Sequence, residues 1–492
     1  MSAGSWLKTQ MKQKSRTIFK GPVVFYPLLF AAFPILFLYV HNISETSASQ
    51  IWLPLGISVA GALVLWAVLS LILRSLPKAA FATAIFLALF FSYGRLYDVL
   101  VTWGVFVPKH AHLLPVMLFV WGYCVYFISR AKRDFRITTR LFNITAVVLI
   151  AINLFNIGSY QVKLARLSDV TPAETSETTA DSAAELSALP DIYLIILDEY
   201  ARPDTMMEYY DYDNSSFIKS LEDKGFFIAH NSETSTGATQ KSIASLLNME
   251  YVDETEMSVL VRKNANNKVV NFLKTKGYYY VCFGAAPVFG DEEVNADLYY
   301  DFWERGGGTT PHLEFLRLLY STTMLKPFYG YFTGGAYETY YRGIVINTIA
   351  ILKEMPDIQG PKFVFAYFMC PHEPFVFGPE GEFIAPENWA NYRDKQYYQG
   401  QYIFISAEIG KVVDDLLEKS ETSPIIILQS DHGIRPHHPD IEIGGDEWRK
   451  ILNVYHLPGD GEEMLYDSIS PVNSFRLIFN HYFGADYPLL ED

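Results

Sequence analysis

Asp431-His432-Gly433 closes the run Ser423-Pro-Ile-Ile-Ile-Leu-Gln-Ser430 and sets a carboxylate directly beside an imidazole. One hard oxygen and one nitrogen donor at adjacent positions suit a divalent ion such as Zn²⁺ or Mn²⁺. A polar turn ending a core strand would use the same residue types, because Asp and Gly are favoured there. Three other places could join this chemistry. Asp198-Glu199 ends the apolar run Pro190-Asp-Ile-Tyr-Leu-Ile-Ile-Leu197, and His372 lies in Pro371-His-Glu-Pro-Phe375 after the run Pro361–Cys370. The segment Gly237-Ala-Thr-Gln-Lys-Ser-Ile-Ala-Ser-Leu-Leu-Asn248 offers a hydroxyl, Thr239, where a helical pattern begins.

These residues need elements to hold them. The runs at 190–197, 361–370 and 423–430, with a fourth at 277–284, read as buried strands. Segments of helical periodicity, such as 344–353 and 405–419, lie between them. Strands alternating with helices predict an α/β domain with a mostly parallel sheet covered on both faces. Ligands of such sheets bind at the C-terminal strand edge, where Asp198, His372, Asp431 and His432 would all arrive. At a helix N-terminus, free backbone N–H groups and the helix dipole favour an anion near Thr239. A metal-bound hydroxyl there loses its proton readily and becomes a nucleophile. By local sequence, however, Thr239 reads first as an N-cap, and Thr234, Ser235 and Thr236 are further hydroxyls.

The front of the chain differs in kind. Five apolar stretches of roughly membrane-spanning length, about 20 residues each, run at 21–41, 51–73, 79–101, 113–130 and 141–161. None reads as a cleaved signal peptide, since the first has no small-residue cleavage site and more spans follow. Lys and Arg crowd the segment before the first stretch and the second-to-third and fourth-to-fifth loops, whereas Lys109 stands alone in the others. The positive-inside rule then predicts a plasma (inner) membrane protein with a cytoplasmic N-terminus and everything after 161 outside. Arg95 and Asp98, at i and i+3 near the outer end of the third stretch, read as a pair snorkelling to the interface or as a lipid head-group contact.

Charge follows the same division: residues 1–160 carry +11 and the remainder −26, for a whole-chain charge of −15. An acidic outer domain argues against a nucleic-acid partner. Residues 162–189 are rich in Ser, Thr, Ala and Glu and read as a flexible linker before an external domain at 190–492. Cys124 falls in a span, and Cys282 and Cys370 fall in predicted strands, so all read as inert thiols.

Taken together, the layout and the motifs resemble the membrane-anchored, sulfatase-like branch of the alkaline-phosphatase superfamily. Lipoteichoic acid synthases and phosphoethanolamine transferases are its best-known members. The resemblance is carried by Asp-Ile-Tyr-x-Ile-Ile-Leu-Asp at 191–198, Pro-His-x-Pro-Phe-Val-Phe at 371–377, Ser-Asp-His-Gly at 430–433 and the segment Tyr466–His481. It implies that Asp198, Thr239, Asp431 and His432 bind one divalent metal, Mn or Zn in preference to Mg. It also implies that Thr239 is transiently phosphorylated and that His372 contacts the phosphate or substrate. The expected reaction is transfer of a phospholipid head group, of the phosphoglycerol or phosphoethanolamine type, to a glycan or lipid hydroxyl. A metal-dependent phosphodiesterase or phosphatase, or a catalytically silent membrane scaffold, are the alternatives.

The chain departs from the pattern in places. It has Asp198 where the lipid transferases have Glu, with Glu199 adjacent, and Tyr367 where close relatives tend to have a histidine. His437 and His438 read as solvated rather than as ligands, and Arg435 reads equally as a phosphate contact or as a surface arginine. Thr239-Gln-Lys-Ser-Ile lacks the formylglycine signature, which disfavours sulfate-ester hydrolysis.

Overall fold

The structure is a computed structural model that describes residues 22–43, 48–102, 109–132, 134–168, 189–290, 292–302, 311–329, 335–384, 395–435 and 443–491. The chain forms two compact units, one of Met1–Thr171 with His312–Phe332 and the other of Pro172–Pro311 with Thr333–Asp492. Most of the predicted linker, like His437 and His438, lies outside the described residues.

The first unit is helical: α1 (Tyr26–His41), α2 (Trp52–Leu73), α3 (Leu76–Thr102), α4 (His110–Arg130) and α5 (Arg136–Ser168). Helices α2 to α5 are long and apolar enough to cross a bilayer, whereas α1 is a shorter apolar helix of 16 residues with Pro34 inside it. Their outward faces are apolar, with Leu71 and Phe119 exposed, as lipid contact allows. Helix α5 continues through Ser168, so the first residues assigned to the linker are helical.

A segment from far along the chain completes this unit. Phe315, on a helix spanning Pro311–Thr322, is buried with Ile35, Leu36, Tyr39 and Ile51. Met324 packs with Tyr93 and Met117 and donates its N–H to the Phe90 carbonyl at 3.0 Å. Lys326 pairs with Asp98 at 2.5 Å and lies 5.1 Å from the centre of the Tyr97 ring. The partner of Asp98 seen here is therefore a lysine 228 residues away. Gly94 permits the approach, since a Cβ there would stand 1.8 Å from the Ser321 carbonyl oxygen. Gly94→Leu should dislodge residues 312–329, and limited proteolysis should cut that segment at least several-fold faster than in the parent protein. Unchanged cutting would show that the contact is dispensable.

The second unit holds a seven-stranded sheet in the order β2-β7-β6-β1-β5-β3-β4. The strands are β1 (Ile192–Leu197), β2 (Phe227–Ile228), β3 (Tyr279–Phe283), β4 (Leu298–Tyr300), β5 (Lys362–Phe368), β6 (Ile425–Ser430) and β7 (Asn453–His456). The sheet is mixed: β6, β1, β5, β3 and β4 are parallel, while β2 and β7 add an antiparallel edge. The expectation of a mostly parallel sheet did not include that edge, whose two strands are too short to show as apolar runs. Every residue of β1, β5 and β6 is buried, which is why these strands read as continuous apolar stretches. The core on one face joins Ile192, Leu194 and Ile196 of β1 to Ile243, Leu246 and Leu247 of α6 (Thr239–Asn248). Such fully buried aliphatic side chains stabilise the fold by about 1.5–3 kcal/mol each. Cys282 and Cys370 are buried free thiols.

At the sheet edge away from the motifs, Lys362 Nζ meets Asp191 Oδ2 at 2.6 Å with both side chains nearly enclosed. The backbone N–H of Lys362 also donates to Asp191, and the Asp191 carbonyl accepts from Ile425, so the pair ties β1 to both parallel neighbours. Burial raises the Asp191 carboxyl above its ordinary range, and Lys362 opposes that rise. Lys362→Met would leave a buried, unpaired carboxylate and should cost about 3–5 kcal/mol of stability. The loss should grow as pH rises and Asp191 ionises. Chemical unfolding followed at two pH values tests this, and a pH-independent loss would contradict it.

Candidate active site

The C-terminal edge of the central strands gathers the predicted residues. Asp198 follows β1, and its backbone N–H donates to the Phe368 carbonyl at 2.9 Å. Asp431 and His432 follow β6, which is the neighbour of β1 on its other side. The three side chains are 3%, 0% and 0% exposed, and one ligand atom from each lies within 4.8 Å of the others. His432 Nε2 is 3.4 Å from Asp198 Oδ1 and 3.7 Å from Asp431 Oδ2.

The remaining bonds aim these atoms. His432 Nδ1 donates to the Gly433 carbonyl at 2.8 Å, which leaves the Nε2 lone pair turned to the carboxylates. Asp431 Oδ1 accepts N–H bonds from His432 (2.8 Å) and Glu199 (3.1 Å). Tyr367 on β5 donates its hydroxyl to Asp198 Oδ2 at 2.5 Å. That uses one oxygen of each acid; Asp198 Oδ1 and Asp431 Oδ2 are buried with no hydrogen-bond partner among the described residues. Two orphaned carboxylate oxygens facing an imidazole lone pair are costly unless a cation lies among them. Burial and the adjacent Asp198 raise the Asp431 carboxyl to about 6. The donor set of two oxygens and one nitrogen fits a divalent metal, with Zn or Mn favoured by the imidazole.

Thr239 is the first residue of α6, and Ala238 holds the N-cap position, so Thr239 does not serve as the cap its local sequence suggested. It is 7% exposed, and its hydroxyl interacts with both the Asp431 carboxyl and the Tyr367 hydroxyl. One turn on, Ser242 donates to the Asp431 carbonyl at 2.6 Å, pinning the helix start to the end of β6. Gly433 is required where it stands, because a Cβ would meet the Lys450 and Glu447 carbonyl oxygens at 2.3 and 2.5 Å.

Glu199 turns away from Asp198 because its backbone bends into the left-handed region (φ +58°). Tyr398 secures that bend by donating to the Glu199 carbonyl at 2.7 Å. The Glu199 carboxylate reaches His372 Nε2 at 3.8 Å and accepts the Arg435 backbone N–H at 3.1 Å. Burial lowers the His372 imidazole, but without a cation at Asp198 the Asp198 and Glu199 carboxylates outweigh it and raise the group to about 9. The Arg435 side chain turns inward: Nη2 donates to the Gly237 carbonyl at 2.9 Å and meets His432 Nε2 at 2.7 Å. The roles of Ser242, Tyr398 and the Glu199 bend carried no local sequence signal. Tyr367 was visible only as a departure from a motif.

No protein-family model matches the chain, and no curated relative does. Among solved structures, integral membrane lipooligosaccharide phosphoethanolamine transferase A from Neisseria meningitidis is 10% identical over 92% of this chain and 94% of its own, with a TM-score of 0.43. The zinc complex of the C-terminal periplasmic domain of EcEptC from Escherichia coli is 11% identical over 60% of this chain and 84% of its own, with a TM-score of 0.41. The lipoteichoic acid synthase LtaP from Listeria monocytogenes is 12% identical over 59% of this chain and 71% of its own, with a TM-score of 0.40.

Proposed function

We propose that the protein transfers a phospholipid head group, of the phosphoethanolamine or phosphoglycerol type, to a glycan or lipid hydroxyl through a phosphoryl-threonine intermediate. The observation that carries this reading is the pair of orphaned oxygens, Asp198 Oδ1 and Asp431 Oδ2, converging with His432 beside the Thr239 hydroxyl. Asp198, Asp431, His432 and Thr239 would hold one divalent ion. That ion would act as a Lewis acid, lowering the pKa of a hydroxyl and offsetting phosphoryl charge. In the first step the Thr239 Oγ–P bond forms, the P–O bond to diacylglycerol breaks, and the threonine proton ends on the diacylglycerol oxygen. In the second, the acceptor oxygen displaces Oγ and its proton returns to Thr239. His372, on the loop after β5, would as an imidazolium donate its proton to the leaving diacylglycerol oxygen, be reprotonated at the end of the cycle, or hold a phosphoryl oxygen.

Five crossings, with α1 as the first, would place the N-terminus in the cytoplasm and the sheet domain outside the plasma (inner) membrane. There a lipid is the available activated donor. Residues 162–189 would join a spanning domain at 1–161 to a catalytic domain at 190–492. Reconstitution into phosphatidylethanolamine/phosphatidylglycerol vesicles with Mn²⁺ and a hydroxyl acceptor tests the reading. Diacylglycerol release that depends on acceptor supports transfer, whereas free head group formed at the same rate without acceptor makes the protein a hydrolase. His372→Ala should slow release by on the order of 10²–10⁴-fold. A variant within a few-fold of the parent protein would remove His372 from the chemistry.

A further inference from the structure

We infer that Arg435 is the residue that binds the anionic phosphoryl group of the substrate beside Thr239, an inference that rests on the phosphoryl-transfer reading above. The site is rich in carboxylates: Asp198 and Asp431 converge with His432, Glu199 faces the neighbouring His372, and a phosphodiester approaching them alone would be repelled. The guanidinium of Arg435 is a fixed positive charge that no pH near neutrality removes. The structure places it on the nucleophile's side of the site. Nη2 is hydrogen-bonded to the carbonyl of Gly237, two residues before Thr239, and to His432 Nε2. Nε and Nη1 have no partner among the described residues, so two edges of the planar fork remain available to phosphoryl oxygens. The backbone of Arg435 is fixed independently, by its N–H donating to Glu199 Oε1, so the side chain is not needed to hold the loop.

The two hydrogen bonds of Nη2 have different fates. His432 Nε2 has one lone pair; if that lone pair held a cation, the Arg435 N–H would be free for an anion. The Gly237 carbonyl keeps the guanidinium at the mouth of α6, whose first N–H groups also favour negative charge. Metal, helix start and guanidinium would then approach one phosphoryl group from different sides, which a lone surface arginine would not achieve. The unpartnered oxygens of Asp198 and Asp431, both more than nine-tenths buried, mark the same spot as a ligand site by an independent observation.

The test uses the full-length protein in detergent, with Mn²⁺ and inorganic phosphate as probes in separate calorimetric titrations. Arg435→Ala should weaken phosphate binding to the Mn²⁺-loaded protein by roughly 10- to 100-fold. Arg435→Lys, which keeps the charge but loses the fork, should weaken it less than Arg435→Ala does. Mn²⁺ affinity should not fall in either variant, since Arg435→Ala removes a donor that competes for His432 Nε2, and the melting temperature should be unchanged. Phosphate affinity within twofold of the parent in Arg435→Ala would overturn the inference. So would a parallel loss of Mn²⁺ affinity and melting temperature in both variants, which would make Arg435 a structural residue. A parent protein that binds Mn²⁺ but no phosphate also overturns it, whereas one that binds neither removes the proposed function with it.

Discussion

Thr239→Ala is expected to abolish head-group transfer, with a loss on the order of 10⁴-fold or more, while the protein keeps its fold and its remaining metal ligands. The magnitude follows from the role: without a covalent step, transfer must rely on direct attack by the acceptor at a site arranged for Oγ. Folding should survive because Ala238, not Thr239, holds the N-cap position, and alanine has the higher helix propensity. The helix start stays pinned by Ser242 on the Asp431 carbonyl. Thr239→Ser should retain measurable transfer, since it keeps a hydroxyl at the same place. Diacylglycerol release from vesicles and the melting temperature, measured together, separate loss of chemistry from loss of fold. Transfer in Thr239→Ala within tenfold of the parent protein would mean that another group is the nucleophile, or that the protein is a scaffold whose chemistry is incidental.

Withdrawing the metal is the second large effect. A chelator should stop transfer and lower the melting temperature, and Mn²⁺ or Zn²⁺ should restore both. With free ion at 100 times its Kd, binding stabilises the folded protein by about 2.7 kcal/mol. The effect should depend on pH with a defined sign. Without a cation, burial and Asp198 raise the Asp431 carboxyl to about 6, above its ordinary 3.8. A raised folded-state value means that the metal-free protein is favoured at low pH and loses that stability as pH rises through about 6. Metal needs the ionised carboxylates, so its affinity rises over the same window. The gap between loaded and chelated melting temperatures should therefore widen from pH 5 to pH 7. Asp431→Asn should narrow it at both values. A gap that is constant in pH, or a chelator with no effect on melting or transfer, would contradict a metal held by these carboxylates.

Much of the site was legible because its residues end apolar strands. A fully buried strand must stop where polarity returns, so Asp198, Asp431 and His432 announced the C-terminal edge of β1 and β6. Thr239 was legible as the start of a helix, although its local sequence favoured a cap. What escaped was nonlocal. Tyr367 reaches Asp198 only because β5 pairs with β1 in the register that sets Tyr367 opposite Ile196. The Arg435 backbone N–H is held by the Glu199 carboxylate, and Glu199 adopts positive φ in a residue type that gives no glycine warning. The antiparallel edge escaped because Phe227–Ile228 and Asn453–His456 are too brief to show a period. The return of residues 312–329 to the helical unit escaped for a different reason. The contact that permits it, Gly94 against Ser321, joins positions more than 200 residues apart, and neither neighbourhood names the other.

The covalent intermediate is the claim on which the account turns, and the mass of the peptide containing Thr239 tests it most directly. The protein would be taken from its own membrane, or incubated with phospholipid vesicles and Mn²⁺ without acceptor, then quenched and digested. The account predicts a head-group phosphoester on Thr239, whose mass names the donor and which disappears when a hydroxyl acceptor is added. An unmodified Thr239 in a preparation that is releasing diacylglycerol would contradict it.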